Sequence, residues 1–312
     1  MTTDHRAEIL DALSKTPGFA DIPEEALTIT RMGGLTNLVF RVDAPEAAPV
    51  VVRLAGAGTE EYIDRVAELT NAEAAARAGV SAAIHYAEPE TGLLVMDCIE
   101  NVTTMTPENF AAIKGSPGRA GAALRLLHQS GEKFAGRFEL FQMIEDYLDV
   151  LSKKANSTLP DGYHDVVAAA APVREALEAH PVDLAPCHCD PLCENFLDDG
   201  QKMWIVDYEY GGMNDPLWDL GDVSVEGHFT EAMEAEMLQA YFGRSPTAAE
   251  KGRVVIYKAM CDLIWTLWGL IQHADGNPAE DFWLYAVTRF DRCQALMNAP
   301  EFDIHVANVK AG

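Results

Sequence analysis

The sequence predicts an α+β fold of two lobes: a small mixed sheet-and-helix N-terminal lobe over residues 1–100 and a mostly helical C-terminal lobe over residues 101–312. Three observations carry this. Short β-type runs cluster before residue 100. Apolar residues at helical spacing dominate after Thr106. One hairpin, with polar residues on either side, interrupts the helices near residue 200.

The elements follow in order. Residues 1–16 read as a leading helix with Ile9, Leu10 and Leu13 on one face. TITRM, Gly33-Gly34 and LVFRV make strand, glycine turn and strand, and PVVVRL is the next strand. Residues 59–79 read as a helix with glutamates at its start and Gly79 at its end. LLVMDCI is a buried strand, and the first lobe ends near Glu100. Beyond it AGAALRLLHQS, ELFQMIEDYLDVLSKKA, DVVAAAAPVREALEA, EAMEAEMLQAYFG and VVIYKAMCDLIWTLWGLIQ each read as one helix. Only the hairpin turning at Asp198-Asp199-Gly200, with Leu197 and residues 203–206 as its strands, is β in that half.

Composition narrows the function. A formal charge of −26 argues against nucleic acid as a partner and leans toward a small cationic substrate, although acidic surfaces also serve solubility. ATP, being anionic, would need Mg²⁺ and local arginines against that field. No basic-plus-apolar leader is seen. The apolar stretch at residues 256–271 is interrupted by Lys258 and Asp262, so no membrane insertion is expected. Three of the six cysteines form C-x-C-x-x-x-C at 187, 189 and 193. A zinc module would want paired C-x-x-C knuckles, so free thiols in a reducing cytoplasm are expected instead.

Residues 187–220 carry the chemistry. His188, Asp190 and Asn195 follow H-x-D-x-x-x-x-N, and an apolar run then delivers Asp207 in I-V-D. A plain hairpin explains the turn. It does not explain why Asp and Asn precede the first strand and an Asp ends the second. Phosphoryl transfer needs a carboxylate to receive the acceptor hydroxyl's proton, plus an amide oxygen and a second carboxylate for Mg²⁺. Asp190 is thus the general base, and Asn195 and Asp207 are the metal ligands.

DYEYGGMNDPLWDL, with Asp207, Glu209, Tyr210, Asn214, Asp219 and Leu220, resembles the choline/ethanolamine kinase family, in the aminoglycoside-phosphotransferase-like branch of the protein-kinase-like fold. RMGGLTNLVFRV, VVRLAGAGTEEYIDRVAE and WTLWGLIQ extend the resemblance over about residues 28–290. It implies a phosphate-covering loop at Gly33, Gly34, Thr36 and Asn37, where glycine lets backbone N–H groups approach phosphate. It implies Arg53 on the phosphates; Glu68 is the candidate partner for it, with Glu61 and Glu73 as rivals. Cys98 and Ile99 would line the purine pocket, and His188 and Asp219 would brace the loop. Glu209 would be a second metal carboxylate or a substrate contact. Cys189 stands where the family often has Asn, and D-Y-E replaces the D-F-G of protein kinases.

On the acceptor side, Trp265 and Trp268 lie one turn apart on a helix. A core stripe is the plain account of such a pair. The resemblance implies that they line an amine pocket with Tyr285, Glu226 and Phe229, since aromatic faces hold quaternary ammonium. Asp275, Glu280 and Asp281 flank a Gly-Asn-Pro turn and read as a solvated loop rather than an aminoglycoside cleft. The expectation is an ATP- and Mg²⁺-dependent kinase that converts choline to phosphocholine. Ethanolamine, thiamine and aminoglycosides are alternatives that share every catalytic residue. A catalytically silent relative is disfavoured by intact Asp190, Asn195 and Asp207.

Overall fold

The computed structural model describes residues 3–32, 37–56 and 63–312. Helix α1 (Thr3–Ser14) lies on a five-stranded antiparallel sheet of order β1-β2-β3-β5-β4. The strands are β1 (Thr28–Arg31), β2 (Asn37–Ala44), β3 (Ala47–Ala55), β4 (Ile84–Glu88) and β5 (Leu93–Asp97). Ile9 and Leu13 of α1 join Phe40, Val42, Val50, Val52 and Leu54 in one core. Alternation along β3 then sends Arg53 to the opposite face, where it is opposite Val39 on one side and Leu94 on the other. The half-buried strand β4 carries no clear apolar alternation and was not anticipated.

Helix α2 (Arg65–Arg77) starts later than the glutamate-rich pattern suggests. Asp64 caps it, accepting the amides of Val66 and Ala67 at 3.0 Å, so Ile63 and Asp64 precede the helix, and residues 57–62 lie outside the described set. Its end is a left-handed Gly79 (φ 78°), with the Val80 amide reaching back to the Ala75 carbonyl. Ala72, Ala74, Ala75 and Val80 pack into the core of the helical half, not into the core between α1 and the sheet. Polar links fix α2 there. Asn71 donates to the Gly211 carbonyl and accepts from the Ala135 amide, each at 2.7 Å, and the Ile205 amide donates to the Val80 carbonyl at 2.8 Å.

The remainder is mainly helical: α3 (Pro107–Ala112), α4 (Ser116–His128), α5 (Leu140–Ser152), α6 (Tyr163–Ala169), α7 (Ala171–Ala179), α8 (Leu217–Glu226), α9 (Glu231–Phe242), α10 (Ala248–Ala274), α11 (Phe282–Met297) and α12 (Phe302–Ala311). The segment read as one helix at 165–179 is two, α6 and α7. The break falls at Ala170, just ahead of Pro172, whose ring and missing N–H oppose a continuous helix. A Thr247–Glu250 capping box opens α10. This helix is long and apolar enough to cross a bilayer, yet it is buried among α5, α8, α11 and α12. The expected hairpin is β8 (Phe196–Asp198) with β9 (Met203–Ile205). Three further short strands were unforeseen: β6 (Thr103–Thr104) extends the hairpin, and β7 (Ala185–Cys187) pairs with β10 (Gly212–Asn214).

Candidate active site

The loop between β7 and β8 is held from beneath by Asp219, in the first turn of α8. Its carboxylate accepts the backbone N–H of His188 at 2.7 Å and of Cys189 at 2.9 Å. His128 of α4 donates to the same group at 2.9 Å and is itself joined to the Tyr241 hydroxyl at 2.9 Å. The Trp218 indole donates to the Cys189 carbonyl. These bonds hold Cys189 at φ 68°, a left-handed backbone that residues other than glycine rarely adopt. The His188 ring donates to the Val206 carbonyl at 2.9 Å, tying the loop to the residue before Asp207, which is also left-handed (φ 70°). His188 and Asp219 therefore act on backbone geometry.

Asp190 follows, half-buried. The Asn195 amide nitrogen donates to the Asp190 carbonyl at 3.1 Å, which orients the amide with its oxygen on the other side. Burial, then the nearby Glu226 and Glu209 carboxylates, push the Asp190 carboxyl well up from the usual range.

Toward the sheet, Arg53 grips both oxygens of Glu68 and also donates to the Gly92 carbonyl at 3.0 Å. Arg65 adds a second cation on Glu68 at 2.9 Å and lies 3.5 Å from Glu209. Of the rivals, Glu73 sits on the surface near Arg77, and Glu61 is outside the described residues. Glu68, Asp207 and Glu209 offer oxygens within 4.8 Å of one another. Asp207 Oδ1 is buried without a hydrogen-bond partner, 3.8 Å from Arg53. Burial raises the Asp207 carboxyl despite Arg53; burial and then Asp207 raise Glu209 to about 7. A convergent set of hard oxygens with one left bare suits a divalent cation such as Mg²⁺.

Gly33, Gly34 and Thr36 lie outside the described residues. Asn37, expected among the phosphate donors, gives its amide to Glu209 at 3.1 Å, because β2 brings it over the acidic cluster. At the purine edge the Cys98 amide is used by the Pro49 carbonyl, and Arg41 lies on the Cys98 sulfur while pairing with Asp43 and Glu100. Ile99 beside it is half-buried.

On the other flank α10 presents Trp265 and Trp268. Tyr210, three residues after Asp207, meets Trp265 edge-on at 5.2 Å. Trp268 packs edge-on to Phe282 at 5.6 Å and Tyr285 at 5.7 Å. Both indole N–H groups are buried without partners. Tyr285 already carries a cation: the Arg289 guanidinium lies 4.4 Å from its ring centre. Arg289 also clamps Glu226 at 2.5 and 2.8 Å, and Arg292 binds Asp262 at 2.6 and 2.5 Å. Glu226 is thus not the bare anion expected of a substrate contact. Burial alone would raise it, but Arg289 outweighs burial and holds it low. Phe229 is not brought to the tryptophans. The turn at Gly227 folds its ring back over that glycine and edge-on to Phe110, 5.0 Å away, in the core under the hairpin.

The thiols of Cys187 and Cys189 bond to backbone carbonyls, and all six cysteines are free. Among the described residues the three loop thiols do not form a metal-ligand set. Sequence reasoning missed Arg65, His128, Arg289 and Arg292. Helical spacing was the available signal, with Arg65 three residues before Glu68 and Arg289 four after Tyr285.

Residues 28–251 match the phosphotransferase enzyme family. A choline/ethanolamine kinase family protein from Mesorhizobium loti is 54% identical over 98% of this chain and 99% of its own, with a TM-score of 0.88. Choline kinase LicA from Streptococcus pneumoniae is 27% identical over 95% of this chain and 99% of its own, with a TM-score of 0.77, and LicA has also been seen in complex with AMP. Ethanolamine kinase 2 of Homo sapiens is 26% identical over 86% of this chain and 76% of its own. The chain belongs to the choline/ethanolamine kinase family of phosphotransferases.

Proposed function

We propose that this phosphotransferase moves the γ-phosphoryl group of ATP, with Mg²⁺, to the hydroxyl of choline, giving phosphocholine. Support for a nucleotide comes from the LicA–AMP complex and from the Arg53–Glu68 pair on the cleft face of β3. Asn195, Asp207 and Glu209 would hold Mg²⁺, which when bound offsets phosphate charge. Asp190 receives the hydroxyl proton. Its raised carboxyl is a stronger proton acceptor once ionised, and a cationic acceptor beside it favours that ionised form.

The observation that carries choline over ethanolamine is the aromatic wall of Trp265, Trp268, Tyr210 and Tyr285, reaching the metal loop through Tyr210. Ring faces suit a weakly hydrated trimethylammonium better than a primary ammonium that wants hydrogen bonds. Two of the three acids of the alternative aminoglycoside cleft are otherwise engaged: Asp275 pairs with Lys154, and Asp281 caps α11. Six free thiols suit a cytoplasmic setting. The test is ATP-dependent phosphorylation across a panel of choline, ethanolamine, thiamine and an aminoglycoside. Choline should have the highest kcat/KM; a higher value for ethanolamine would replace choline and keep the kinase.

A further inference from the structure

Asp222, in the middle of α8, has no exposed surface, and neither of its carboxylate oxygens has a nitrogen or oxygen donor; the Cys261 thiol beside it is a weak one. Among the described residues no Arg, Lys or His nitrogen lies within 4.0 Å of it. Glu226 faces it one turn along α8, Cys261 faces it from α10 with Asp262 next in chain, and Arg289 acts on it from α11. The catalytic loop contributes Asp190, Cys189 and Cys193. Cys261 Sγ is turned to Glu226 at 3.9 Å, and Arg289 is engaged with Glu226. Arg289 and Arg292 answer Glu226 and Asp262, which leaves Asp222 as the third acid of the group, with no counter-charge. An ionised Asp222 would be an unpaired buried charge facing two more carboxylates. Burial, then Glu226 and Asp190, accordingly push it well up.

The group lies under the aromatic wall. Cys261 is one helical turn before Trp265, and Arg289 bridges Glu226 to the Tyr285 ring, which packs on Trp268. Building on the acceptor reading above, we infer that Asp222 carries a proton in the free protein and releases it to solvent when a cationic amino alcohol enters the aromatic pocket. The carboxyl O–H bond breaks, the proton leaves to buffer, and the carboxylate remains under the bound cation. One positive charge enters as one departs.

The test is calorimetric titration of the full-length protein with choline in buffers of differing ionisation enthalpy, from about pH 5.5 to 8, a range in which choline's own charge is constant. Wild type should release up to one proton per bound choline, and its affinity should rise by up to about tenfold per pH unit until the free carboxyl itself ionises. Asp222→Asn, of the same shape, should bind more weakly with no exchange and a flat pH profile. Asp222→Ser serves if the Asn variant does not fold. A wild type that binds choline or ethanolamine without proton exchange overturns this inference and leaves the acceptor reading intact. Variants that keep the wild-type proton count would assign the proton to Asp190 and overturn it too. If neither amine binds, both readings fall.

Discussion

The two flanks of Asp190 are built from the same parts and end in opposite states. The nucleotide side has Glu68, Asp207 and Glu209 with Arg53 and Arg65; the acceptor side has Asp222, Glu226 and Asp262 with Arg289 and Arg292. Each group is three acids to two arginines. On the first flank the acids come from a helix and a loop and converge, with Asp207 Oδ1 buried and unpartnered while its side chain as a whole stays partly exposed. On the second, Arg289 takes Glu226 and Arg292 takes Asp262, and the remaining acid is sealed inside. Composition alone therefore does not decide what an acidic cluster does. Solvent access is what differs between them: Asp207 is partly exposed and Asp222 is fully sealed.

The centre between the flanks gives the largest effect. Asp190→Ala should lower kcat by on the order of a hundredfold or more while nucleotide binding persists, whereas Asp207→Ala should weaken both. Steady-state rates beside equilibrium nucleotide titration separate the two, and an Asp190→Ala rate within a few-fold of wild type would remove it from catalysis. Next, the flanks should fail independently. Trp265→Leu or Trp268→Leu keeps apolar bulk and loses the ring face, so the acceptor KM should rise about three- to thirtyfold with the ATP KM unchanged. Normal acceptor kinetics in both variants would return the pair to the helix core.

The reciprocal change is Arg53→Lys. A point donor cannot span both Glu68 oxygens and the Gly92 carbonyl, so the ATP KM should rise about fivefold, the scale of one hydrogen bond, with the acceptor KM steady. Its partner gives a pH signature. Burial would raise the Glu68 carboxyl, but Arg53 and Arg65 outweigh it and hold the group below the ordinary glutamate range. The stability this adds is present above that ordinary range and disappears as pH falls through the depressed value. Urea unfolding from neutral to acid pH should show that loss in wild type and less of it in Glu68→Gln; equal slopes would mean the pair adds nothing. Phe229→Leu is the smallest change. It should lower stability by about 1 kcal/mol and leave both KM values alone, since its ring packs on Phe110. A raised acceptor KM would restore Phe229 to the pocket.

Much of this site could be read in the chain because local spacing encodes it. Asp190, Asn195 and Asp207 sit on one loop and hairpin, and Glu68 lies on the face of α2 that turns toward the strand carrying Arg53. What was illegible is non-local. His128 reaches Asp219 from 91 residues away and Arg289 reaches Glu226 from 63, and no periodicity announces such a pairing. Phe229 and Glu226 have surroundings that the resemblance did not foreshadow, for a related reason. A resemblance gives neighbourhood along the chain, but a turn at Gly227 and an arginine one helix away decide where each side chain points and whether its charge is free. Among elements, α10 was plain from its apolar run, while β4 is a half-buried strand whose pattern matches neither period well.

Helix α2 is fastened to the catalytic half through Ala72, Ala74 and Ala75 and through Asn71, while Arg53 rides on the sheet. The Arg53–Glu68 pair and the Asn37–Glu209 hydrogen bond thus join the sheet to that half. A displacement of α2 alone would therefore break both Asn71 hydrogen bonds, uncover its alanine face and part Glu68 from Arg53 at one stroke.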